Sequence, residues 1–143
     1  MIEISSSTRY DQPASTVFAI LTDPPSYPAW QQDVESASLT GDAPAQQGAR
    51  IRQVRKVLGR QTEVALTISE LIPGQQLTLA TDPGIKPAIR QSWRLQPDDG
   101  GCRLDFQLNL DGVPKMAEHL ARAQLSRTVP QMLDRLGTVA ATR

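Results

Sequence analysis

The sequence predicts an α+β fold in which a curved antiparallel sheet of about seven strands wraps on a long C-terminal helix, with two short helices after the first strand. Three observations carry this expectation. From Ala49 to Leu110, apolar and polar residues alternate as they do in strands. The period then becomes helical and stays so from Lys115 to Ala141,. Near the start, Pro13, Pro24, Pro25 and Pro28 bracket segments with room only for brief helices,. A curved sheet with one long helix laid across it leaves a hollow between the layers, so this order of elements points to a container for a small molecule.

Composition narrows the function classes. With 143 residues and 39% apolar content, the chain has the length for one domain with a real core, spanning residues 1–143,. Lys+Arg and Asp+Glu each number 15, so no net charge recruits nucleic acid or an anionic membrane surface,. Cys102 is the single cysteine, which excludes an intrachain disulfide and fits a reducing, cytoplasmic setting,. The run from Met1 to Tyr10 has neither the basic region nor the continuous apolar segment of a secretory signal,. No window approaches the ~20 apolar residues of a membrane span, so stable membrane insertion is not expected.

The elements follow from local pattern. Ile2, Ile4, Ser6, Thr8 and Tyr10 alternate with polar neighbours and define a first strand,. Pro13 opens a helix carrying Val17, Ile20 and Leu21, and Asp23-Pro24-Pro25 ends it,. Ser26 to Gln32 supplies a second short helix with Tyr27 and Trp30 as its aromatic pair. Strands are then expected at Val34 to Leu39, Ile51 to Leu58, Thr62 to Ile72, Leu77 to Thr81, Ile89 to Gln96 and Cys102 to Leu110,. The Gly41-Asp42-Ala43-Pro44 turn, Gly59, Pro73-Gly74 and Asp82-Pro83-Gly84 separate them,. Asp98-Asp99-Gly100-Gly101 is the turn of a final hairpin, in a register that sets Trp93 near Leu104 and Phe106 and Arg94 near Asp105,. The last helix opens at Pro114 and carries the stripe Leu125, Val129, Met132, Leu133, Leu136, Val139 and Ala140,. Met116, Leu120 and Ala123 form a second stripe, and a bend at Pro130 is expected to bring both onto the sheet, the N-terminal half as the more mobile cover,.

Several phrases in this order resemble the START-like helix-grip superfamily and, within it, the bacterial polyketide cyclase/dehydrase branch. The stretch Pro13-Ala14-Ser15-Thr16-Val17-Phe18-Ala19-Ile20-Leu21-Thr22-Asp23 resembles that branch's first helix, and Tyr27-Pro28-Ala29-Trp30 its second. Gly48-Ala49-Arg50-Ile51 is similar to the lead into the third strand, and Ile68-Ser69-Glu70-Leu71-Ile72-Pro73-Gly74 to the exit from the fourth. Trp93-Arg94-Leu95 followed by Asp99-Gly100-Gly101-Cys102-Arg103-Leu104 resembles the final hairpin. The resemblance implies the helix-grip fold and a ligand that is lipid, quinone, hormone or polyketide. It transfers no Arg/Tyr/His catalytic set to this chain.

The candidate binding residues are Trp30, Leu66, Ile68, Trp93, Phe106, Met116 and Leu120 as walls, with Gln53, Arg55 and Gln91 as polar contacts. Each has a plainer reading. The aromatic residues also serve as core anchors. Gln53 and Gln91 share strand parity with Ile51 and Trp93, so either they face inward or a bulge turns them to solvent,. Arg55 either faces inward, to receive a carboxylate or enolate oxygen, or shares a solvated face with Arg50, Arg52 and Lys56,. His119, the lone histidine, is a general-base candidate or an ordinary surface residue, and Glu118 with Arg122 has ion-pair spacing,. No spacing fits a metal site, a nucleotide loop or thiol chemistry, so no cofactor is expected. The leading function is binding of a small hydrophobic ligand between sheet and helix. The alternative is a cyclase or dehydratase that uses the same cavity with His119 or Arg55 moving protons. A third reading is a partner-binding module or homodimer using an exposed edge or the helix cover.

Overall fold

The computed structural model describes residues 1–42, 44–57 and 60–143. Ala43, Leu58 and Gly59, which the sequence places in a turn and at a strand end, lie outside the described residues. The order is β1 (Ile2–Tyr10), α1 (Ala14–Leu21), a 3₁₀ turn (Pro24–Ser26), α2 (Tyr27–Trp30), then β2 (Val34–Leu39), β3 (Arg50–Val57), β4 (Arg60–Ile72), β5 (Gln76–Ala80), β6 (Ala88–Asp98), β7 (Gly101–Asp111) and α3 (Lys115–Ala141). The seven strands form one antiparallel sheet in the order β1-β7-β6-β5-β4-β3-β2. From β2 to β7 the chain is a meander of neighbouring strands. The link from β1 to β2 spans the whole sheet, and α1 and α2 make that crossing.

Sequence chemistry accounts for each boundary. Pro13 has the extended backbone that precedes a helix, with φ −67° and ψ 156°. Asp23-Pro24-Pro25 cannot continue α1 because two successive residues lack an amide donor,. Asp99 and Gly100 both have positive φ, 47° and 81°, the geometry of a tight hairpin turn that follows sheet twist,. The β6–β7 register pairs Trp93 with Phe106, Leu95 with Leu104 and Arg94 with Asp105, as the alternation predicts.

The core lies between the sheet and the helices. Val17, Phe18, Ile20 and Leu21 of α1, Tyr27 and Trp30 of α2, and Val129, Met132, Leu133, Leu136 and Ala140 of α3 are buried against it. The C-terminal half of α3 therefore anchors the helix, and the helix runs unbroken through Pro130. Gly137 allows its close approach, because a Cβ there would stand 2.9 Å from Cε1 of Tyr10. The Tyr10 hydroxyl donates to the carbonyl of Leu133 at 2.6 Å and ties β1 to the helix. At the other end Arg122 donates to the carbonyl of Met1 at 3.3 Å and to Glu118 at 3.3 Å. No helix among the described residues is long and apolar enough to cross a membrane.

The two tyrosines report on this core. Burial raises both phenol pKa values above the ordinary 10.0, with a smaller push at Tyr10 from Cys102 and Asp134 and at Tyr27 from Asp23. The unfolded chain releases these protons first, so stability is fully present below about pH 10 and falls as pH rises beyond it. Absorbance at 295 nm should show no tyrosinate while circular dichroism remains native, then a rise that coincides with unfolding. A folded protein titrating near pH 10 would contradict the buried placement.

Candidate functional site

The sheet's inner face is a continuous layer set by register. One row runs Ile68, Leu79, Gln91, Leu108, Ile4 and the next Leu77, Trp93, Phe106, Ser6 across neighbouring strands. On the other side, Ile51 stands opposite Leu66 and Gln53 opposite Val64. A chain of aromatic rings fixes the short helices to this layer. Tyr27 meets Trp30 edge-on with ring centroids 5.2 Å apart, Trp30 meets Trp93 at 6.3 Å, and Trp93 meets Phe106 at 5.1 Å,.

The polar part of this layer is concentrated at β3 and the end of α2. Arg55 has only 13% of its side chain exposed and donates from Nε to Oε1 of Gln53 at 2.8 Å. Its Nη1 donates to Oδ2 of Asp33 at 3.1 Å, and its Nη2 to Oε1 of Gln31 at 3.3 Å. A β-bulge between Val34 and Ser36 keeps Val34 opposite Arg55 while Ala37 stands opposite Gln53,. Gln31 has extended backbone just past α2, φ −106° and ψ 110°, which turns the chain back toward β3. Four buried polar atoms have no hydrogen-bond partner among the described residues: Nε2 of Gln31, Nε2 of Gln53, Oε1 of Gln91 and Nε1 of Trp93. Each such atom costs about 1–3 kcal/mol while unmatched, so three on the apolar layer and a fourth beside it, on Gln31, are a substantial burden,.

The structure brings together most of the residues singled out from sequence. Trp30, Gln53, Leu66, Ile68, Gln91, Trp93 and Phe106 are all buried, and Gln53 and Gln91 face inward with no bulge to turn them out. Arg55 joins them, but not as a free cation. Asp33 pairs with it and the amide oxygens of Gln53 and Gln31 accept from it, so it faces inward as a paired cation. Met116 and Leu120, expected on the wall, are instead 98% and 70% exposed. They lie thirteen and nine residues before Val129, which at about 3.6 residues per turn puts both on the far side of the helix from the anchoring stripe,. His119 is exposed in a surface cleft of about 350 Å³ with Lys115, Glu118 and Arg122. A second cleft of about 240 Å³ lies between β1 and α3, bordered by Glu3, Ile4, Ser5, Ser6, Ser126 and Pro130. Neither touches the polar cluster; the centre of the inner face is closed to solvent, and at its β1 edge Ile4 and Ser6 border the second cleft. Gln31 and Asp33 belong to the cluster and carry no periodic signal. The one clue to Gln31 in the sequence is its place directly after Trp30, in a segment whose aromatic pair packs on the sheet.

Comparisons with known proteins agree with this architecture. The family described as polyketide cyclase / dehydrase and lipid transport matches residues 1–141. No curated protein matches the chain by sequence. Among solved structures, TTHA0849 from Thermus thermophilus is similar with a TM-score of 0.82 and 16% identity, covering 98% of this chain and 97% of that one. A START superfamily protein from Mycobacterium smegmatis gives 0.81 and 12%, covering 98% and 97%. The di-domain ARO/CYC protein BexL of the BE-7585A biosynthetic pathway gives 0.74 and 14%, covering 96% of this chain and 46% of that longer one. At these identities the likeness is one of fold.

The cluster makes a stability prediction. Arg55→Leu strands the buried amide oxygens of Gln31 and Gln53 and should cost about 3 kcal/mol in urea unfolding. Arg50→Leu, which breaks the half-exposed pair with Asp82 at 2.9 Å, should change stability far less,. Equal effects would contradict the buried role of Arg55.

Proposed function

The chain belongs to the polyketide cyclase/dehydrase and lipid transport family, with a START-like helix-grip fold, and from that premise we propose that it binds a small, mainly hydrophobic molecule, of lipid, quinone or polyketide type, on the inner face of its sheet beneath α3. The observation that carries this reading is the set of unpartnered buried polar atoms on an otherwise apolar layer. A ligand burying about 250 Å² of apolar surface there gains roughly 6 kcal/mol by area, against about 1–3 kcal/mol for each hydrogen bond made or left unmade. Apolar area therefore supplies affinity, and the polar atoms select among ligands.

Access requires the cover to move, and α3 is built for that. Between Met116 and Arg127 no residue is fully buried, whereas Val129 to Ala140 supply the anchoring stripe. The N-terminal half opens at low cost while the C-terminal half stays docked. Binding is favoured over catalysis because His119 stands on the exposed helix surface and the guanidinium of Arg55 is already engaged.

Leu66→Trp and Phe106→Trp should each reduce uptake of the apolar fluorophore N-phenyl-1-naphthylamine at least about tenfold with the far-ultraviolet circular dichroism unchanged. Met116→Trp, on the outer face, should leave uptake as it is. Unchanged uptake in both inner-face variants would overturn the placement.

A further inference from the structure

The orientation of two amides defines what part of a ligand they receive. Arg55 carries only donors, so a glutamine amide that bonds it must present its oxygen, and its NH₂ group must turn the other way. Gln53 and Gln31 both do this, through Oε1 at 2.8 Å from Nε and 3.3 Å from Nη2. Gln53 is 0% exposed and Gln31 2% exposed, and the Nε2 of each lacks a partner among the described residues. One guanidinium thus fixes two buried amides so that both offer donors and neither can flip to offer an acceptor.

The charge of the site is settled by the third partner. Asp33 pairs with Arg55 at 3.1 Å and is itself half exposed, so the cation's field is spent toward the protein's rim. An anionic ligand group would lose its water without meeting an uncompensated cation. A neutral acceptor loses less, and a carbonyl oxygen has two lone pairs, one for each donor.

Resting on the binding function proposed above, we propose that Gln31 and Gln53, oriented by Arg55, form a two-donor receptor for a neutral carbonyl oxygen of the ligand, such as that of a ketone, quinone or ester. Arg55 acts as a positioning residue, since it holds both amide oxygens and so sets which way their NH₂ groups face. The inner face around them takes the ligand's apolar body, and the receptor selects carbonyl compounds over equally apolar hydrocarbons and over carboxylates.

The test uses three probes of nearly the same shape: 2-acetylnaphthalene, 2-isopropenylnaphthalene and 2-naphthoate, titrated into the full chain by calorimetry. Without a receptor the alkene should bind best, because the ketone must shed bound water. With the receptor, the ketone should bind about tenfold tighter than the alkene and at least about tenfold tighter than the carboxylate. Gln53→Met and Arg55→Met should each abolish the preference for the ketone over the alkene. Infrared difference spectra of the ketone with a ¹³C-labelled carbonyl give a readout that needs no variant. The stretch should move to lower wavenumber on binding to the unaltered protein, and this shift should vanish in Gln53→Met and Arg55→Met. Equal or alkene-favouring affinity with an unshifted stretch would overturn the carbonyl receptor and leave the hydrophobic container standing, with the amides satisfied by water. Tightest binding of the naphthoate would overturn the choice of a neutral group. Binding of none of the three would overturn the container and the receptor together.

Discussion

The pairing of β6 with β7 is the constraint on which the other contacts rest. It sets Trp93 across from Phe106, Gln91 across from Leu108 and Leu95 across from Leu104, all on the inner face. Side-chain direction alternates along a strand, so a slip of one residue would send this set to solvent and bring Arg94 and Asp105 inside. The tight turn at Asp99 and Gly100 holds the register at its origin,. Trp93 then receives the edge of Trp30, which seats α2 and so decides where the chain leaves that helix. Gln31 begins there. The polar cluster on β3 is complete only because a hairpin at the other end of the sequence is in register.

Stability and selectivity are at odds around Arg55. A cation with little exposure is tolerated only with partners on its donors, and Asp33, Gln31 and Gln53 supply them,. The same hydrogen bonds oblige both amides to face away with their NH₂ groups unmatched, which works against the folded state. Removing the guanidinium would not relieve this, because the two amide oxygens would then lose their partner as well,. The arrangement thus costs stability locally while holding two donors in one orientation. The burial of the surrounding aromatic and aliphatic layer offsets that cost.

Much of the fold is legible in the sequence because strands and helices have different periods. The alternation in Val64, Leu66 and Ile68, and in Gln91, Trp93 and Leu95, locates β4 and β6 and their inner faces without reference to any partner strand. Parity also places Gln53 and Gln91 inside, where they are found. Boundaries are less legible: β4 begins at Arg60 instead of Thr62, since an exposed strand end leaves no apolar mark. Met116 and Leu120 are misplaced by an argument that counts on a bend at Pro130, whereas their angle around the helix decides the matter. Gln31 escapes sequence reasoning for a physical reason as well. It lies in a connection without period, and its burial depends on Trp30 and Arg55, which are brought to it by tertiary packing.

The central claim is that the inner face holds a small apolar molecule. Native mass spectrometry of the protein exposed to an organic-solvent extract of its own host, with denaturing extraction of the bound fraction, addresses it most directly. One apolar, carbonyl-bearing molecule per chain, displaced by 2-acetylnaphthalene, is the expected result. A spectrum showing only the bare chain after that exposure, across a range of extract concentrations, would contradict it.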